Sequence, residues 1–160
     1  DLNRNLILKC FQLKKESQNQ DFLELKNRFV NCKSISVHVR RGDYVGLNHA
    51  CSENYFNSAI QYIMSKVKNA EFFIFSDDPL WVKNNLKTDF TCKFIAHNHG
   101  VESYNDMRLM SLCKHHIIAN SSFSWWGAWL NPNPERIIIA PISVPIDEIV
   151  ILSSNVPFTK

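Results

Sequence analysis

Two stretches of this chain concentrate groups suited to an anion: Arg40 and Arg41 in "HVRRGDY" (38–44), and Ser121, Ser122 and Ser124 in "NSSFSWWGAWLN" (120–131). A guanidinium presents a planar fork of N–H donors that meets a phosphate with two parallel hydrogen bonds. Hydroxyls placed just ahead of a helix add donors to the unpaired N–H groups and positive dipole end of its first turn. A third cluster, Ser76, Asp77 and Asp78 in "FSDDP", joins one hydroxyl to two carboxylates. A fourth, "SYNDMRLMS", opens with Ser103 and Asp106 at capping-box spacing. Asp106 has two uses there. It can cap the helix, or it can accept the adjacent N1–H and N2–H₂ donors of guanine, an edge that adenine lacks.

Each cluster also has a plainer reading. Asp78 before Pro79 has the pattern of an N-cap followed by proline in the first turn, which leaves Ser76 and Asp77 free. Asp77 and Asp78 as a divalent-cation site would need further oxygen ligands, and nothing nearby completes the shell. His97, His99, His115 and His116 raise the question of zinc, but no third or fourth ligand stands at a recognisable spacing. They are read as loop and surface histidines, and no metal is expected. The adhesion tripeptide Arg-Gly-Asp (41–43) and the glycosylation acceptor Asn120-Ser121-Ser122 both abut strands and are set aside.

These clusters share a position. Short apolar runs at 35–39, 72–75, 93–96, 116–119 and 137–140 read as strands, and helical segments are expected at about 2–15, 20–30, 53–68, 79–86, 103–114 and 123–130. Such alternation predicts an α/β fold, a Rossmann-like parallel sheet with helices on both faces. Ligands bind such sheets in the crevice at the carboxyl ends of the strands, which is where the arginines, the aspartates and the serine turn fall. Strand alternation puts Ile35, Val37 and Val39 on one face and Ser36, His38 and Arg40 on the other. Trp125, Trp126 and Trp129 are expected to pack their helix onto the sheet, with Gly127 permitting close approach. An alternative use of those indoles is stacking on sugar rings in a carbohydrate-binding module.

Composition narrows the field. The 160 residues suffice for one domain with a core, and 45% hydrophobic with 21% charged residues is a globular balance. A net charge of +3 without a basic run predicts no nucleic-acid partner. No apolar stretch approaches the roughly 20 residues of a membrane span, so membrane association is expected to be at most peripheral. Five scattered cysteines without a CxxC predict reduced thiols and a cytoplasmic location. The chain opens at Asp1 rather than a methionine, and a longer parent is expected.

Together "HVRRGDY", "FIFSDD" and "DMRLMSLCKHHIIANSSFSWWGAWLN" resemble the bacterial α-1,2-fucosyltransferases of glycosyltransferase family 11, over roughly residues 32 to 141. The resemblance implies a GT-B-type enzyme that moves L-fucose from GDP-β-L-fucose to a galactose-terminated glycan, with inversion, without a metal and with no cofactor beyond the donor. It implies that residues 1–31 are a helical lead-in from a missing N-terminal half, and that 32–160 form the GDP-sugar-binding, C-terminal donor domain. By the same resemblance Arg40 clamps the diphosphate, Arg41 supports it and His38 lies near the nucleotide. Ser76, Asp77 and Asp78 fall near the nucleoside, Asp106 reads guanine, and Asn120, Ser121, Ser122, Phe123 and Ser124 seat the phosphate and sugar. Family chains are nearly twice as long and begin with a glycine-rich "GGLGNQ"-like segment that is not found here. Related α1,6 enzymes carry a glutamate base ten residues after the HxRR histidine, where this chain has Asn48. Asp43 and His49 are the neighbouring candidates for the base.

Overall fold

Strand and helix alternate as expected in the computed structural model, which describes residues 2–11, 19–87, 89–95, 100–142 and 149–152. Two helices come first, α1 (Leu2–Cys10) and α2 (Gln20–Asn31), then β1 (Lys33–Val39), a short α3 (Gly42–Gly46) and α4 (Glu53–Lys66). Next follow β2 (Ala70–Ser76), α5 (Pro79–Asn85), β3 (Cys92–Ile95), a single 3₁₀ turn (Gly100–Glu102) and α6 (Tyr104–Leu112). The chain continues through β4 (His115–Ile117), α7 (Ser122–Trp129), β5 (Ile138–Pro141) and β6 (Ile149–Leu152). The last strand, α3 and the 3₁₀ turn have no counterpart in the sequence reading. The predicted first helix reaches Lys15, and its residues beyond 11 lie outside the described residues.

The sheet runs β3-β2-β1-β4-β5-β6. Five strands are parallel, and β6 closes the edge antiparallel to β5. Chain order therefore reverses between β1 and β4, the crevice where such sheets bind ligands. Local sequence sets the helix starts. Ser52 accepts the Tyr55 N–H at 3.1 Å, Asp78 accepts the Trp81 N–H at 3.0 Å with Pro79 in the first turn, and Ser121 accepts the Phe123 N–H at 3.3 Å.

Alternation along β1 decides which helix meets which face. Ile35, Val37 and Val39 are fully buried with Phe72 and Ile74 against Tyr55, Phe56, Ala59 and Ile63 of α4 and Val82 of α5. Tyr55 anchors that layer: its hydroxyl donates to the Ile118 carbonyl at 2.6 Å, with the Ile139 carbonyl 3.2 Å away. On the opposite face Phe73, Phe75 and Ile95 meet Phe22, Leu25 and Phe29 of α2 and Leu109 and Met110 of α6. Truncating a buried phenylalanine such as Phe29 costs about 3–5 kcal/mol. Thus α2 shares the core of the sheet's second face.

The tryptophans correct the sequence reading. Trp125 alone packs with the sheet residues Ile118, Ile138 and Ala140. Trp126 stacks on Phe11 at 4.7 Å, and Trp129 lies under the Arg4 guanidinium at 4.8 Å, so two of the three rings meet the N-terminal segment. Arg4 also donates to the carbonyls of Trp129 and Asn131 at 2.8 and 3.1 Å, closing the C-terminal end of α7. Gly127 does permit a close approach, but to α6: a β-carbon there would meet Met110 Cβ at 3.0 Å.

Candidate functional site

Strand exits of β1, β2 and β4 converge on one cleft of about 580 Å³, a volume within the usual range for small-molecule sites. Its walls include His38, Arg40, Asp43, Ser76, Asp77, Asp106, Ser121, Ser122 and Phe123. Nine of the residues singled out from sequence therefore meet across the β1–β4 crossover, although up to 85 positions separate them along the chain.

Arg40 leaves β1 between two carboxylates. Its Nη2 lies 2.5 Å from Oδ1 of Asp43 and its Nη1 3.0 Å from Oδ2 of Asp77, and the guanidinium sits over the Tyr44 ring at 5.6 Å. Asp77 is held further by the Arg41 backbone N–H at 2.8 Å. Asp77 lines the cleft with its carboxylate on the arginine. Arg41 turns the other way. It stacks on Trp81 at 4.1 Å and donates to Asp78 at 3.3 Å, tying the β1 exit to α5. The two guanidinium forks therefore do not work side by side, and Arg40 alone faces the cleft. Asp78 serves as cap and partner of Arg41, and Ser76 accepts the Asp78 N–H at 3.0 Å.

His38 closes the floor beneath Arg40. It is 8% exposed, its ring faces Phe123 at 5.6 Å, and Nδ1 has no hydrogen-bond partner. Burial, and secondarily Arg40, pull its pKa down to about 4, so the ring is neutral near pH 7 and can donate or accept with the free nitrogen. An unpartnered nitrogen at that depth carries a desolvation cost.

The N-terminus of α7 lines the same cleft as Arg40. Ser122 and Phe123 border the cleft, and Ser121 borders it while capping the helix. Ser124 does not: it is 1% exposed and donates to the Ser121 carbonyl at 3.2 Å and the Ala119 carbonyl at 3.5 Å. Two residues on from Ser122, a rotation of about 200° turns it inward, away from the cleft lining. Asn120 is exposed and stands outside the cleft wall. Asp106 is half-buried on the α6 wall. Ser103 is helical in backbone and makes no side-chain cap bond, so the reciprocal capping box does not form. Of the two candidates for a base, Asp43 borders the cleft and His49 does not. Tyr44 and Gly100 also line the wall. Tyr44 stands in a quoted motif but gave no chemical signal of its own, and Gly100 matters through its positive φ of 57°.

The histidines are distributed differently from the surface reading. His97 and His99 lie outside the described residues. His116 is fully buried in β4, where Asn131 Nδ2 donates to its Nε2 at 2.6 Å and to the Cys113 carbonyl at 2.6 Å. Asn131 Oδ1 accepts the Asn133 N–H at 2.8 Å, which fixes the amide and makes Nε2 the acceptor. Nδ1 then carries the proton and donates to Ser36 Oγ at 2.7 Å. Burial, then His115 and Arg136, pull the His116 pKa down to about 3. His116 is a structural neutral histidine, because two strands and α7 close over it.

Residues 11–154 match the glycosyl transferase family 11. An α-1,2-colitosyltransferase of Escherichia coli is 44% identical over 133 residues, covering 77% of this chain and 45% of that protein. The O-antigen biosynthesis glycosyltransferase WbnK of Escherichia coli is 36% identical over 155 residues, covering 88% of this chain and 50% of that protein. The chain thus spans about half the length of the curated relatives it matches. In three dimensions it resembles the NodZ α-1,6-fucosyltransferase co-crystallized with GDP, at a TM-score of 0.52 and 16% identity. That likeness covers 95% of this chain and 63% of the other, and it establishes a mixed α/β fold of the kind found in GT-B fucosyltransferases.

Proposed function

The chain belongs to glycosyl transferase family 11, and from that premise we propose that it forms the donor-binding half of an inverting transferase. The donor is GDP-β-L-fucose and the product an α-1,2 linkage to a galactose hydroxyl of a glycan. One observation carries this reading: Arg40, His38 and the N-terminus of α7 line one cleft at the strand exits. Arg40 and the α7 N–H groups supply positive charge for a diphosphate, and catalysis lies in stabilising the charge that develops as GDP departs. Asp106 on the opposite wall is the acceptor for guanine. The acceptor glycan is bound mainly by parts of the protein beyond this cleft, and no cofactor other than the donor takes part.

The 44%-identical relative favours a second reading at the sugar alone, with colitose, which lacks the 3-hydroxyl of L-fucose, in place of fucose. Thermal shifts with GDP, GDP-fucose, UDP and ADP test the nucleotide, because a ligand that binds only the native state raises its stability. The guanine nucleotides are expected to raise the melting temperature and the other two to leave it unchanged. Equal shifts with UDP would overturn the assignment. Competition between GDP-fucose and GDP-colitose in a transfer assay then decides the sugar.

A further inference from the structure

The two carboxylates that hold Arg40 are held very differently themselves. Asp77 is 26% exposed, takes the Arg41 N–H as well as the guanidinium, and lies so close to Gly42 that a β-carbon there would come within 2.8 Å. Asp43 is 60% exposed, rides on the five-residue helix α3, and has Arg40 as its ion-pair partner. One partner is built in and the other is replaceable. The charged groups lining the described cleft are Arg40 with Asp43, Asp77 and Asp106, so a diphosphate that pairs with Arg40 competes with a carboxylate for the guanidinium.

We infer, resting on the donor-site reading above, that the donor's diphosphate displaces Asp43 from Arg40, and that the carboxylate so released is the base for the acceptor hydroxyl. The guanidinium passes from one anion to the other, so an occupied donor site is the condition for a free base. The step then balances. The acceptor O–H gives its proton to Asp43, and its oxygen forms the bond to the sugar's anomeric carbon. The bond from that carbon to the β-phosphate oxygen breaks, and its electron pair leaves on GDP beside Arg40. Asp77 stays in place throughout and is a positioning residue that keeps the fork aimed into the cleft.

The exchange predicts opposite effects for the two aspartates. Calorimetry of GDP and guanosine on this chain is expected to show that Asp43→Asn tightens GDP roughly two- to fivefold, the worth of a half-exposed ion pair. Guanosine, which has no phosphate, binds both proteins alike. Asp77→Asn is expected to weaken GDP about tenfold, since Arg40 loses its fixed partner. In the longer protein that also binds the acceptor, transfer at saturating donor falls at least about 100-fold in Asp43→Asn. Weaker GDP binding by Asp43→Asn would make Asp43 a fixed support of Arg40 and overturn the exchange. Transfer within tenfold of wild type would overturn its role as base. If wild type binds guanosine and GDP equally, the donor-site reading fails and takes this inference with it. If wild type prefers GDP but Asp43→Asn does not tighten it, only the exchange fails.

Discussion

A β-carbon on Gly42 would stand 2.8 Å from Oδ2 of Asp77, so a side chain at position 42 would make the carboxylate shift. The carboxylate that fills the space is the fixed partner of Arg40. Gly42→Ala should therefore push Asp77 off the guanidinium while leaving the fold intact, since alanine favours the helix Gly42 begins. The expected result is GDP affinity lowered by about 1 kcal/mol, the worth of one hydrogen bond, at an unchanged melting temperature. Calorimetry beside a thermal melt measures both; a fall in stability without a fall in affinity counts against the linkage.

Removing the clamp itself has a larger effect. Arg40→Ala should weaken GDP by about 1.5–3 kcal/mol, the range for hydrogen bonds to charged groups. Guanosine should bind wild type and variant equally. Titration of both ligands checks this, and equal GDP affinity in the two proteins would remove Arg40 from the phosphate site.

Asp106 provides the test of base recognition. It lines the cleft from α6, where a carboxylate can meet a base. Asp106→Asn keeps one acceptor but cannot accept from both guanine donors, so the preference for GDP over ADP should shrink well beyond any change in stability. A preference that survives intact would return Asp106 to a structural part in α6.

Acid should unfold this chain through its buried histidines. His38 and His116 have folded pKa values of about 4 and about 3, below the ordinary 6.5, and His115 is shifted the same way by burial. The unfolded state then binds more protons below pH 6.5, so their contribution is complete above that pH and is lost as pH falls towards 4. At pH 5 the loss is about 2 kcal/mol for each of His38 and His116. Urea melts at pH 7.5 and pH 5.0 measure it, and His38→Asn should remove part of the difference.

GDP binding should be indifferent to divalent metal. Asp77 is committed to Arg40 and the Arg41 N–H, and Asp78 to Arg41 and the Trp81 N–H, so the adjacent acids already have cationic and N–H partners. Affinity is expected to be the same in EDTA and in added magnesium or manganese. A large gain with metal would show that the pair is recruited as ligands.

Local pattern carried a great deal in this chain. Apolar runs bounded by turn residues located β1 to β5, and their alternation with helices required a parallel sheet, because parallel strands need a covered crossover. That topology alone directed attention to the strand exits, where Arg40, Ser76, Asp77 and the serine turn do lie. The cap at Asp78 was equally local, since a cap is a contact within three residues. The short α3 escaped because it has no periodic apolar face to announce it, whereas β6 is an apolar run, IVIL, of the same kind as the other strands and was overlooked.

The rest was decided by partners distant in sequence. Arg40 and Arg41 are neighbours with the same chemistry, yet one faces Asp43 and Asp77 and the other lies on Trp81, a difference set by where α5 packs beside β1. Ser122 and Ser124 look interchangeable in the string, but α7's rotation against α6, allowed by Gly127 over Met110, exposes one and buries the other. His116 reads as a surface residue beside Lys114 and His115 until Ser36 and Asn131, 80 and 15 positions away, close on its two nitrogens. Periodicity along a chain states which residues share a face. Which group that face will meet depends on the packing of elements brought together from elsewhere in the chain, and only the folded structure contains those distances.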